Sequence, residues 1–139
     1  MSEVSEYHVS LRFFGDDLDP DVVSSLLGAQ PTTCCRKGDL FRGKVSERIE
    51  KTGKWLLQLT EKPGESFEPQ IEALLGGLTQ DLAVWRELTK KYSADLFCGV
   101  WLGTSNQGME LSPRLRTQLA EHGLYLGLDI YERDKEDIG

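Results

Sequence analysis

The sequence predicts an α+β fold in which two strand-helix-strand halves form one mainly antiparallel sheet with helices on one face. Three observations lead there. Segments near both ends alternate apolar and polar residues with period two, as half-buried strands do. Two short helical segments are bracketed alike, from Asp19-Pro20 to Gly28 and from Ser112-Pro113 to Gly123, each with a capping side chain, a proline at the first helical position and a closing glycine. A longer helical stretch separates the two halves. Such halves sharing a sheet are ferredoxin-like, here with a helical insertion between the halves where a tight hairpin would normally sit.

The elements follow in order. Tyr7, Val9, Leu11 and Phe13 fall on one face of the first strand and His8, Ser10 and Arg12 on the other, until Gly15-Asp16-Asp17 ends it. Val22, Val23, Leu26 and Leu27 sit at helical spacing, and Gly28 and Pro31 stop that helix. An irregular basic stretch follows, residues 32–54, whose later part, 45–59, reads as a hairpin turning at Lys51-Thr52-Gly53-Lys54, with Trp55 to Leu59 as its clearest strand. Lys62-Pro63-Gly64 breaks that strand. Ile71, Leu74, Leu75 and Leu78 then mark an amphipathic helix, and Leu82, Trp85 and Leu88 mark another ending in Lys90-Lys91, with one kinked helix as the alternative. Leu96, Cys98, Val100 and Leu102 line one face of a strand, residues 103–108 are turn-rich, and Leu115 and Leu119 mark the second short helix. Leu124, Leu126, Leu128 and Ile130 form the inward face of the last strand. Residues 1–139 are expected to make one domain, with 1–5 and 133–139 flexible.

Composition excludes several function classes. A chain of 139 residues can bury a core without disulfides or a structural metal. Its 23 acidic against 16 basic side chains, net −7, provide no long-range attraction to nucleic acid or anionic lipid. The first residues carry neither a basic segment nor an apolar run, and no stretch approaches the roughly 20 apolar residues of a membrane span. Cys34 and Cys35 are adjacent and Cys98 stands alone, the wrong arithmetic for a disulfide framework. A reducing cytoplasm is the expected location.

The candidate sites are surfaces. Arg36-Lys37-Gly38 pairs two cations with a glycine, the composition of an anion-binding loop, but neither the glycine run nor the Gly-Lys-Ser/Thr ending of a P-loop is present. Seven cations lie between Arg36 and Lys54, including Arg42 and Lys44, diluted by Asp39, Glu47 and Glu50, so this edge reads as mixed-charge. Phe97 and Trp101 on one strand, Tyr125 and Tyr131 on another, and Phe14 beside Arg12 make the outward sheet face unusually aromatic. Such a face is covered by a second copy or by the chain's own middle segment, or it meets a partner. The thiols have no histidine placed as a base, since His8 lies in a strand and His122 at a helix end, and Asp16, Asp17, Asp19 and Asp21 lack the order of a calcium loop. No catalytic set, no metal and no cofactor is expected.

Phe14-Gly15-Asp16, Leu18-Asp19-Pro20, Leu26-Leu27-Gly28, Pro31-Thr32, Arg36-Lys37-Gly38-Asp39, the solitary Trp55 and Gly127-Leu128-Asp129-Ile130-Tyr131 together resemble the bacterial family known as domain of unknown function 4279. The resemblance spans nearly the whole chain and implies a bacterial single-domain protein without an established activity. The expected function is a non-enzymatic protein-interaction module, of accessory or immunity type. It would bind a protein partner or a second copy through the aromatic face or the 36–54 edge. The alternative is a small-molecule sensor holding an anionic ligand at Arg36, Lys37 and Gly38. Nucleic acid and membrane are not expected partners.

Overall fold

The computed structural model describes residues 6–58, 67–103 and 109–131. The expected flexible ends, the break at 62–64, Leu59 and most of the 103–108 turn lie outside these residues. The elements in chain order are strand β1 (Glu6–Gly15), helix α1 (Pro20–Leu27), strands β2 (Thr33–Cys35), β3 (Leu40–Arg42), β4 (Glu47–Ile49) and β5 (Gly53–Gln58), helices α2 (Glu68–Gly76) and α3 (Leu82–Lys91), strand β6 (Ser93–Trp101), helix α4 (Pro113–His122) and strand β7 (Tyr125–Tyr131).

Five strands form one sheet in the order β2-β5-β1-β6-β7, and β3 and β4 pair apart from it. β1 is central. It pairs antiparallel with β5 on one edge and β6 on the other, β2 pairs antiparallel with β5, and β7 lies parallel to β6. The sheet is therefore mainly antiparallel, as expected. The two halves do not pair alike, however: β1 and β5 are antiparallel neighbours, whereas β6, α4 and β7 make a side-by-side parallel unit. Period-two alternation is the same for parallel and antiparallel strands, so it carries no information about this difference.

All four helices bury their apolar residues against the same sheet face. Tyr7, Val9, Leu11 and Phe13 of β1 register with Val100, Cys98, Leu96 and Ala94 of β6, and all are buried. Above them lie Val23 and Leu27 of α1, Ile71, Leu74 and Leu75 of α2, Trp85 and Leu88 of α3, and Leu115 and Leu119 of α4. Trp55 is fully buried, meets the Phe13 ring edge-on at 5.9 Å, and donates its indole N–H to Ser24 Oγ at 3.0 Å. That bond ties α1 to β5 and satisfies the one polar atom a buried tryptophan carries.

The capping signals hold in detail. Asp19 and Ser112 accept N-cap hydrogen bonds from Asp21 and Leu115, and Gly28 and Gly123 close α1 and α4 in left-handed conformations. Two sequence expectations differ, and of the two readings of the middle helices the separate one holds. The hairpin turns at residues 43–46 and pairs β3 with β4, and β5 joins the main sheet, so no turn forms at Lys51-Thr52-Gly53-Lys54 as the alternation had implied. Gly53 instead begins β5 where a Cβ would lie 2.7 Å from the Gly15 carbonyl oxygen. The middle helices are separate, because Asp81 caps a new helix by accepting from Ala83 N–H. Finally, only Leu124 of the last strand's apolar row is buried; Leu128 and Ile130 are 45% and 55% exposed, since β7 is an edge strand.

Replacing Leu11 by alanine removes a fully buried side chain from the central strand and should cost about 2–5 kcal/mol. Val45→Ala, at a side chain 98% exposed in the hairpin turn, should change stability by less than about 0.5 kcal/mol. Urea midpoints compare the two directly.

Candidate functional site

The sheet's second face carries no helix among the described residues. Pairing register brings its side chains together: Ser10 faces Phe97, Arg12 faces Asp95, and Trp101 faces Tyr131. Arg12 donates to both Asp95 oxygens, Nε to Oδ1 at 2.8 Å and Nη2 to Oδ2 at 2.6 Å, and its guanidinium lies 4.3 Å from the Phe97 ring centre and 5.2 Å from that of Phe14. Donating these hydrogen bonds to Asp95 raises the Arg12 pKa above its ordinary value. A planar guanidinium sandwiched against rings and forked onto a carboxylate is a geometry lysine cannot reproduce.

Beyond this pair, Trp101 and Tyr131 stack with ring centres 4.5 Å apart and planes 20° from parallel, and the Tyr131 hydroxyl donates to Asp129. Tyr125 stands 80% exposed at the other end of β7, while Trp101 and Tyr131 are 38% and 37% exposed. Thus Phe97, Trp101, Tyr125 and Tyr131 share one open face around Arg12. Among the described residues the middle segment does not cover them, because α2 and α3 pack on the opposite side.

The basic loop has a different setting. Arg36 Nη2 donates to Asp19 Oδ1 at 2.8 Å and to Asp21 Oδ2 at 3.0 Å, and Lys37 lies 3.4 Å from Asp16. Asp16, Asp19 and Asp21, around the start of α1, thus neutralise the two cations. Asp19 is held below the usual carboxylate range, first by the Asp21 N–H and then by Arg36. Gly38 adopts φ +93°, which only glycine takes without strain, but its N–H donates to Glu50 O. The Arg36 N–H goes to Asp39 Oδ2 and the Asp39 N–H to Arg36 O, so three donors of the loop are already used.

The hairpin that follows projects from the sheet. Arg42 pairs with Glu47 at 3.6 Å, Arg48 lies over the Phe41 ring at 4.6 Å, and Lys44 is exposed. Leu40, Phe41, Val45 and Ile49 are all exposed as well. Sequence reading saw the charge here and missed the apolar side chains between the cations, because alternation in a free hairpin looks like alternation in a half-buried one.

The family model described as domain of unknown function, DUF4279, matches residues 5–133. The chain belongs to that family. No curated protein and no solved structure matched it. In this DUF4279 chain the Pro31-Thr32 and Arg36-to-Asp39 positions bind the chain to itself. Thr32 N–H donates to Leu56 O at 2.7 Å, its hydroxyl accepts from Gln58 N–H at 2.9 Å, and the loop after β2 clasps both α1 and the hairpin.

Glu50 is the other residue that sequence alone did not single out. Its side chain is only 8% exposed and lies 3.3 Å from Lys54 and 3.5 Å from Arg48, and its N–H and C=O groups bond Asp39 and Gly38. Nothing in a lone Glu among alternating charges distinguishes it. Its neighbour Cys35 is pushed up by burial, then by the Glu50 charge, and donates weakly to Thr52 O. Cys98 is pushed up to about 11 by burial, which opposes the thiolate a nucleophile needs. The imidazole of His122 packs edge-on to Trp85 and bonds the Gln118 carbonyl, and His8 sits 3.8 Å from Glu6. Among the described residues no three His, Cys, Asp or Glu side chains gather as metal ligands, and no helix is long and apolar enough to cross a membrane.

Glu50 is held below its ordinary 4.5 by the Lys54 hydrogen bond first, so its contribution to stability is present above that pH and is lost as pH falls through the lower folded value. Glu50→Gln should lower the thermal midpoint at neutral pH, and its gap to the wild type should close as the pH drops below about 4.5. Melting curves across a pH series measure this.

Proposed function

We propose that this DUF4279 chain is a non-catalytic protein-interaction module whose working surface is the open sheet face. One observation carries the reading: a five-stranded sheet has four helices packed on one side and an aromatic cluster around Arg12 on the other. Trp, Tyr and Arg are the residues that dominate binding energy in protein interfaces. Here Arg12, Trp101 and Tyr131 are held by neighbouring side chains before any partner arrives, so little of their ordering entropy is lost on binding.

The partner is a folded protein with a basic rim. The chain's net charge of −7 steers such a partner toward it, while Arg12, neutralised by Asp95, presents no repelling charge at the centre of the face. An accessory or immunity-type role in the cytoplasm has that chemistry. The strand order supports a ferredoxin-like description: β1, α1 and β2 form a crossover spanning β5, and β5, the α2–α3 pair and β6 form a second spanning β1, to which α4 and β7 are added. Anionic-ligand sensing at Arg36, Lys37 and Gly38 is less well supported, since a ligand there must displace the carboxylates of Asp19 and Asp21.

The test is comparative capture from host extract, followed by calorimetry with the purified partner. A specific partner should bind wild type and the Arg36→Ala/Lys37→Ala variant equally. Trp101→Ala should weaken it about 30-fold, the effect of losing roughly 2 kcal/mol at an interface hot spot. A partner indifferent to Trp101 and Tyr125, or one lost only when Phe41 and Ile49 of the hairpin are changed, contradicts the reading.

A further inference from the structure

The described sheet stops at the outer edge of β7. On its inner edge the Tyr131 carbonyl accepts from the Leu102 N–H at 3.0 Å. Main-chain groups in a strand alternate in direction from one residue to the next. Hence the N–H and C=O groups of Tyr125, Gly127, Asp129 and Tyr131 face β6, and those of Leu126, Leu128 and Ile130 face outward. Among the described residues no strand pairs with them.

This edge lacks the usual protections against another strand. It has no lysine and no proline, and its single charge, Asp129, already accepts from the Tyr131 hydroxyl. Apolar and aromatic side chains are exposed on both sides of it: Leu128 and Ile130 toward the helices, Tyr125 on the open face. The opposite edge differs, because β2 is only 3 residues long.

The strand Tyr125-Leu126-Gly127-Leu128-Asp129-Ile130-Tyr131 reads alike in chemical class from either end except where Gly127 corresponds to Asp129. Leu128 is its midpoint. Pairing of two identical strands about a two-fold axis demands that residue i meets j and j meets i, so aromatic meets aromatic and aliphatic meets aliphatic, and only Gly127 meets a residue of another class. An axis at Leu128, the central residue whose main chain faces outward, gives every outward group of the strand a partner. Leu128 then faces Leu128 of the copy, Leu126 faces Ile130, and Tyr125 faces Tyr131. Asp129 faces Gly127, so the two carboxylates do not oppose each other. The outward groups supply about six N–H···O bonds across the axis.

We infer that a second copy of this chain docks antiparallel along β7, with the two-fold axis at Leu128, joining the two sheets into one. A strand of 7 residues is roughly 23 Å long, and pairing it covers several hundred Å² on each copy, at the low end of specific interfaces. The dimer is therefore weak, with a Kd on the order of 10 µM. It uses the strand edge and leaves the open face free, so dimerisation and partner capture separate experimentally.

Sedimentation equilibrium from about 1 to about 500 µM, spanning that affinity, tests it. Wild type should pass from monomer to dimer. Leu128→Lys and Leu128→Glu should each remain monomeric with unchanged circular dichroism, since like charges then meet at the axis and the replaced side chain is half exposed. An equimolar mixture of the two should recover the dimer, because lysine then faces glutamate, and Trp101→Ala should dimerise as wild type does. A wild type that stays monomeric throughout, a Leu128→Lys variant that dimerises normally, or a dimer abolished by Trp101→Ala overturns the inference.

Discussion

The whole structure depends on β1 being paired along both edges. A strand of 10 residues with a neighbour on each side cannot shift by one position without moving Leu11 and Phe13 out of the core and Arg12 into it. That register sets the two faces of the sheet. One face buries Val9, Leu11 and Phe13 under the helices; the other aligns Arg12 with Asp95 and places both against Phe97. Burial on the first side therefore fixes the positions of the aromatic groups on the second.

The asymmetry follows from where the helices can go. α1, the α2–α3 pair and α4 each leave and re-enter the sheet on the same side, and each has apolar residues enough for one face only. None of the described helices lies on the side of Trp101, Tyr125 and Tyr131. These side chains stabilise one another locally, through the Trp101–Tyr131 stack and the Arg12 sandwich, without becoming buried. Charge is handled in the same local manner: the basic loop folds onto the acidic start of α1, and Glu50 gathers Arg48 and Lys54. The ionic groups hold surface loops in place, and the aromatic and apolar groups of the second face and of the hairpin stay exposed.

Much of this was legible in the residues. The alternation of Tyr7 to Phe13, the paired caps at Asp19 and Ser112, and the glycines ending α1 and α4 are local signals, and local structure follows them. The aromatic face was legible too, since alternation assigns Phe97 and Trp101 to the same side before any partner strand is known. Pairing was not. Whether β5 meets β1 or β4, whether β7 runs parallel to β6, and whether Leu128 is covered depend on contacts between segments distant in sequence, and a single strand's pattern is the same in each case. The partners of Arg36 were hidden for the same reason, because Asp19 and Asp21 come to it only through the fold.

One side of the sheet is open among the described residues, and collisional quenching of tryptophan reads that most directly. Of the three tryptophans, Trp55 and Trp85 are fully buried and Trp101 alone is exposed, on the open face. Acrylamide should quench one fraction of the fluorescence readily and leave a protected remainder, and Trp101→Phe should abolish the accessible fraction. Quenching unchanged by Trp101→Phe, or a native protein in which no tryptophan is accessible, would contradict it.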